Sequence, residues 1–299
     1  MFHPYNDESI LEEKDPRQIY RFLETEGSGG FGVVTQAREV KTKRPVAIKR
    51  FHTASSRQKR HAIREANILK RVTHRNVVEF YGAYQWQGET WLAMEFMQAG
   101  SLGQLLKLNK GPLAVPILAY MARELIRGLG FLHSVGIVHR DIKPENIVMQ
   151  SSGDVKLADF GLATDVSLCE LVERAGTSRY MAPEVLMHKS YRYECDTWGL
   201  GCTLLHAATG KLPFHECANI FELSYRLCTG HGPSIPTSSS FDSELGNLIE
   251  QCLEIDNRKR ATMHQLFKHV FLQKAGRNTH LADVLGQFYI DKALGGLFF

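Results

Sequence analysis

No stretch of about 18 consecutive apolar residues occurs in the 299 residues, so a helix crossing a bilayer is excluded on length. Met1–Lys14 is polar and acidic and does not read as a secretory leader. The six cysteines (169, 195, 202, 217, 228 and 252) form no C-x-x-C pair and no metal-ligand spacing. They read as reduced thiols of an intracellular protein, not as a disulfide framework or a zinc module. No internal repeat is present, and the one loop-like enrichment, Gly230–Ser240, holds two prolines and four serines. No cysteine lies near the last residue, so prenylation is not expected. The expected compartment is cytoplasmic, with a nuclear pool left open.

What is present is ordinary in bulk: 43% apolar and 23% charged residues, enough for one large domain or two lobes with a cleft between them. The net charge is only +4, yet between Arg38 and Arg75 thirteen Lys/Arg stand against two acids, Glu39 and Glu65. A solvated basic face is one reading. A docking surface for an acidic regulator, a phosphorylated segment or an anionic lipid surface is the other.

From Tyr20 the chain reads as short strands, at Arg21–Glu24, Val33–Gln36 and Val46–Lys49. Ala62, Ala66 and Leu69 fall at i, i+4 and i+7, which predicts a helix over Ser56–Arg71 with one apolar stripe. Further strands are expected near Val77–Tyr84 and Trp91–Phe96. After Gly100 long helical segments take over, notably Val115–Leu132 and Thr197–Ala208.

Five strings carry chemistry. Gly27-Ser28-Gly29-Gly30-Phe31-Gly32 comes first, then Val46-Ala47-Ile48-Lys49. His139-Arg140-Asp141 with Asn146, Asp159-Phe160-Gly161 and Ala182-Pro183-Glu184 follow. The glycine loop lies between two predicted strands, whereas a dinucleotide-binding loop leads from strand to helix. Phosphoryl transfer from ATP needs positioning and charge neutralisation at several points around one γ-phosphate. In this order the strings resemble the signature set of the eukaryotic-type protein kinase family, over roughly residues 20–273.

The resemblance implies an α+β, bilobal protein kinase fold. A small antiparallel β-sheet lobe with one helix would span residues 20–97 and a larger, mainly helical lobe 98–273, with an extension at 1–19 and a tail at 274–299. It implies ATP and Mg2+, and protein substrates, not nucleic acid. Gly27, Ser28, Gly29, Gly30, Phe31 and Gly32 would cover the phosphates. Lys49 would grip the α- and β-phosphates, held by Glu65. Adenine would lie between Val34 and Ala47 on one side and Val148 on the other, its edge bonded by the backbone of Glu95, Phe96 and Met97, with Met94 limiting access behind it. Asp141 would accept or orient the substrate hydroxyl's proton, and Lys143 would neutralise the transferring group. Asn146 and Asp159 would ligate magnesium. Leu69, Phe80, His139 and Phe160 would form an internal spine, while Asp196 and a Glu184–Arg260 ion pair would serve as scaffold.

Lys143 and Thr177 follow the serine/threonine pattern, and the runs Arg179–Glu184 and Cys252–Thr262 resemble the kinases of MAP-kinase cascades. Asp-Ile-Lys-Pro-Glu-Asn and Asn257 depart from that group, which leaves dual specificity as an alternative. A scaffold without activity and a small-molecule phosphotransferase are further alternatives. The complete motif set weighs against the first, the intact Gly176–Glu184 segment against the second.

In related kinases the residue equivalent to Arg140 meets an anion on the activation loop, usually a phosphothreonine. Glu173 stands at that position, His61 at a second basic contact, and Thr164 where a third basic residue is expected. The expectation is a Glu173–Arg140 pair that gives partial activity without loop phosphorylation, since one carboxylate carries less charge than a phosphate. Thr164, Ser167, Thr177 and Ser178 are candidate phosphosites, with Ser167 the one expected to be used. Glu145, with His206 in place of a second acid, predicts a weak basic preference upstream of the target. The apolar tail ending Leu-Gly-Gly-Leu-Phe-Phe is expected to finish the helical lobe, the alternative being a return to the small lobe.

Overall fold

The structure, a computed structural model, describes residues 7–29, 32–52, 56–109, 111–167 and 169–295. It divides into two compact units, Met1–Met97 with Asp159–Ala163, and Gln98–Ala158 with Thr164–Phe299.

In the first unit β1 (Leu11–Glu12), β2 (Tyr20–Gly29), β3 (Gly32–Glu39) and β4 (Pro45–His52) precede α1 (Ser56–Arg71). β5 (Phe80–Trp86) and β6 (Glu89–Glu95) follow. The sheet runs β1-β5-β6-β4-β3-β2, antiparallel except for β1 beside β5. Gln87 and Gly88, with φ 46° and 76°, make the two-residue turn that pairs Trp86 with Glu89, the backbone such a tight hairpin needs. Alternation along β4 and β6 separates two cores. Ala47, Phe51, Leu92 and Met94 pack with Ala62 and Ala66 of α1. Val46, Ile48, Trp91 and Ala93 pack with Tyr20 and Tyr84 on the opposite face. The stripe Ala62, Ala66 and Leu69 is buried as its spacing predicts.

Within the extension expected over 1–19, Leu11–Glu12 join this sheet as β1, and Glu8–Ile10 form a short 3-10 turn ahead of it. Leu11 pairs with Ala83, Ile10 is buried in the α1-side core, and Glu8 meets Lys59 at 2.8 Å. One isolated Ile-Leu pair among acids gives no period to detect, yet burying such a side chain is worth about 1.5–3 kcal/mol.

The second unit holds α2 (Leu102–Leu108), α3 (Val115–Ser134), β7 (Ile137–Val138), β8 (Ile147–Met149), β9 (Val155–Leu157) and β10 (Thr164–Asp165). α4 (Pro183–Leu186), α5 (Glu194–Thr209), α6 (Ile220–Cys228), α7 (Ser243–Cys252), α8 (Met263–Leu266) and α9 (Asn278–Gly295) follow. β8 pairs with β9 and β10 with β7. α5 is buried on nearly every side, between α3 and α7. α9 packs on α2 and α3 with Leu281 and Leu285 buried, while residues 296–299 of the apolar end lie outside the described residues. Asp159–Ala163 groups with the first unit, whereas the expected boundary after residue 97 put it in the second. The cause is local: Asp159 is ion-paired to Lys49.

Candidate active site

The strand period that puts Ala47 and Phe51 in the α1-side core also puts Lys49 there. Its Nζ donates to both carboxylate oxygens of Glu65, each at 2.9 Å, and to Asp159 Oδ1 at 2.8 Å. The Lys49 and Glu65 side chains are 7% and 1% exposed. Burial pulls the Lys49 pKa down, but Glu65 and Asp159 outweigh it and hold the ammonium above its usual range. Removing one partner of such a buried pair costs about 3–5 kcal/mol. Asp159 has φ 61°, a left-handed backbone that costs a non-glycine residue of order 1–3 kcal/mol. The ion pair helps to hold it.

Among the residues expected around the nucleotide, Gly27, Ser28 and Gly29 lie in β2 and Gly32 in β3, with Ser28 opposite Val33 and Gly29 opposite Gly32. Gly29 and Gly32 are the last described pair of the β2–β3 ladder. Gly30 and Phe31 lie outside the described residues. Ala47 and Met94 are buried, Val34 and Phe96 pack against the same core, Met97 is buried, and Glu95 is half-buried at the end of β6. Val148 is half-buried in β8 of the second unit.

In the second unit the site is built from α5 upward. The buried Asp196 carboxylate accepts from the backbone N–H of His139 at 2.9 Å and of Arg140 at 2.8 Å, and bonds His133 Nε2 at 2.9 Å. Burial works to raise its pKa, but the His133 hydrogen bond and the backbone donor of His139 keep it below the ordinary 3.8. These bonds fix the turn at Arg140, whose φ is 69°. His139 donates through Nε2 to the Ala158 carbonyl at 3.0 Å, which leaves Nδ1 to accept from Asp141 N–H at 3.4 Å.

Asp141 is held on both oxygens. Oδ2 accepts from Lys143 Nζ at 2.7 Å and from Asn146 Nδ2 at 3.0 Å, and Oδ1 accepts from Thr177 Oγ1 at 2.8 Å. Lys143 also donates to Thr177 Oγ1 at 2.6 Å, closing a ring of three side chains. Asn146 Nδ2 further donates to the Asp141 carbonyl at 2.8 Å. Thr177 reaches the ring because Gly176, at φ 117°, lets the chain pass the Arg140 carbonyl; a Cβ there would lie 2.7 Å from that oxygen.

Arg140 Nη1 meets Glu173 Oε2 at 3.2 Å, with the arginine side chain 3% and the glutamate 71% exposed. Tyr191 pins the loop: its hydroxyl donates to the Glu173 carbonyl at 2.6 Å, and its backbone exchanges two 2.9 Å bonds with Leu171. Tyr191 and His133 escape sequence reading because they act across 18 and 63 residues with no local motif. The expected scaffold pair is present, Arg260 reaching the Glu184 carboxylate at 2.5 and 2.9 Å. His206 accepts from or donates to Tyr180 at 2.8 Å, and burial lowers its pKa; Glu145 is exposed. The basic stretch is partly neutralised in place, Arg44 by Glu39, Arg50 by Glu89 and Lys59 by Glu8.

Magnesium is tested by donor chemistry. With Asn146 Nδ2 committed to Asp141, its carboxamide oxygen is the atom left for a hard cation, and Asp159 offers a carboxylate. No cluster of three His, Cys, Asp or Glu suited to a metal occurs among the described residues. Asn146 and Asp159 are each, taken singly, a hard oxygen donor of the kind magnesium accepts beside waters and phosphate oxygens.

Residues 20–272 match the protein kinase domain family, and the chain belongs to that family. It is 32% identical to the probable serine/threonine-protein kinase mkcB of Dictyostelium discoideum, over 97% of this chain and 41% of that protein. It is 34% identical to the serine/threonine-protein kinase STE20 of Eremothecium gossypii, over 92% and 28%. Serine/threonine-protein kinase 10 of Xenopus tropicalis is 31% identical, over 94% and 30%. All three relatives are named as serine/threonine kinases, and the chain spans less than half the length of each. Among the described residues no helix is long and apolar enough to cross a membrane.

Proposed function

We propose that the chain transfers the γ-phosphoryl group of ATP to serine and threonine hydroxyls of protein substrates in intracellular signalling. The observation that carries this reading is the ring of Asp141, Lys143 and Thr177. It holds a carboxylate beside a cation and ties both to the segment that would position a peptide. Asp141 orients the substrate hydroxyl and takes its proton. Lys143 offsets the charge that develops on the transferring group. Lys49, kept charged and aimed by Glu65, binds the α- and β-phosphates, the pairing that active kinases require. The Glu95–Met97 backbone, with Val34, Ala47 and Val148, takes the adenine. Asn146 and Asp159 would hold magnesium, which when bound screens the phosphate charge.

The Glu173–Arg140 contact favours a second point, that loop phosphorylation is not required for basal activity. Six free cysteines support a cytoplasmic setting. The basic stretch, with Lys41 and Lys43 exposed, supports docking of an acidic regulator. Reversing those two charges should then weaken the regulator's binding and leave peptide turnover intact.

The reading is tested with phosphatase-treated protein, ATP, magnesium and arrays of serine, threonine and tyrosine peptides. Serine and threonine products that vanish in Asp141→Asn support it. Phosphotyrosine beside them would establish dual specificity, and no product from a chain that still binds ATP would establish a scaffold.

A further inference from the structure

Residues Gln98–Ser101 join two elements that the proposed reading assigns to adenine. They continue from Glu95, Phe96 and Met97, and they are laddered to the strand of Val148. Ala99 N–H donates to Met149 O at 3.0 Å, Met149 N–H donates to Gly100 O at 2.9 Å, and Ser101 bridges Val148. Gln98, the first of the four, has weak polar ties from its own surroundings. Its N–H reaches Gln150 Oε1 at 3.4 Å, and Ser151 Oγ reaches its side chain at 3.4 Å, both near the limit of a useful bond. Its carbonyl, by contrast, accepts a close hydrogen bond from the Tyr289 hydroxyl, 191 residues away.

Tyr289 arrives there on a firmly seated helix. Gly276 N–H donates to Pro116 O at 3.0 Å just ahead of α9. At the first residue of α9 the Asn278 carbonyl passes so close to Gly153 that a Cβ there would lie 2.0 Å away, and Gly153 has φ 86°. Leu281 and Leu285 are fully buried, and Tyr289 continues their spacing of four along one helical face. An apolar stripe therefore ends in a hydroxyl donor on a backbone carbonyl.

We propose that Tyr289 is a positioning residue for ATP: through the Gln98 carbonyl, α9 holds the backbone that leads out of the adenine-contacting segment. The proposal rests on the kinase reading above. Adenine contacts are made equally in the bound ground state and the transition state, so loosening their support weakens binding and leaves the chemical step alone.

Tyr289→Phe in the full chain removes the donor and keeps the ring. The expected result is a rise of roughly three- to tenfold in KM for ATP and in Kd for ADP, the span of one lost hydrogen bond. The kcat, the peptide KM and the melting temperature should stay at wild-type values. An unchanged KM for ATP overturns the proposal. So does a change matched by lost kcat or a lowered melting temperature, which would mark Tyr289 as structural support alone. A wild-type chain that binds no ATP would overturn the kinase reading and this inference together, whereas a wild type that binds ATP beside an indistinguishable variant overturns only the latter.

Discussion

Glu173→Ala removes the carboxylate that meets the Arg140 guanidinium at 3.2 Å and leaves the rest of the loop unaltered. The magnitude follows from where the pair sits. Arg140 is 3% exposed, which would favour a strong interaction, but Glu173 is 71% exposed and water competes for it. The pair therefore ranks with surface ion pairs, at about 1 kcal/mol or less, and well below buried pairs. Arg140 leads directly into Asp141, and its carbonyl abuts Gly176, so the loss is transmitted to both ends of the Asp141–Thr177 bond. About 1 kcal/mol on the transition state is about fivefold in rate. The assay is kcat/KM on a serine peptide with phosphatase-treated protein at low and high ionic strength. Wild type should exceed Glu173→Ala by about fivefold at low salt, and the gap should narrow at high salt as the exposed carboxylate is screened. Glu173→Asp should fall between them. Full activity of dephosphorylated Glu173→Ala at low salt would refute the reasoning.

Gly176→Ala should lower kcat by at least about tenfold with ATP affinity retained, because φ 117° and a 2.7 Å approach to the Arg140 carbonyl leave no room for a methyl group; steady-state kinetics beside ATP titration checks this. Asp196 has a folded pKa below its ordinary 3.8, so its stabilisation is complete above that value and is lost as pH falls through the lower, folded one. Asp196→Asn should therefore be less stable than wild type at neutral pH, with a gap in unfolding free energy that closes below pH 3.8. Ile10→Ala should destabilise the protein by about 2 kcal/mol, a core truncation at a sheet edge, measured by urea unfolding. No change there would mean that residues 7–12 add nothing to the fold.

The elements legible in the sequence are those whose signal is local. α1 begins and ends where its apolar stripe predicts; Lys49 pairs with Glu65 in the first unit, and Asp141, Lys143 and Thr177 are bonded to one another in the second. The strands near Val77 and Trp91 are shifted by a few residues, to Phe80–Trp86 and Glu89–Glu95, because a tight turn, not composition, sets their register. Hidden from the sequence are contacts between distant segments. Ile10 enters the core without a periodic neighbour, His133 reaches Asp196 across 63 residues, and Tyr191 fixes the Glu173 backbone. Each depends on how elements come together, which no window of sequence records.

The central claim is most directly tested by following transfer of the γ-phosphate from ATP to serine and threonine peptides by phosphatase-treated protein, with Asp141→Asn as the blank. Transfer by the wild type, abolished in the variant while both bind ATP equally, is the result predicted. Equal ATP binding with no transfer by either, even after incubation with an upstream kinase, would contradict it.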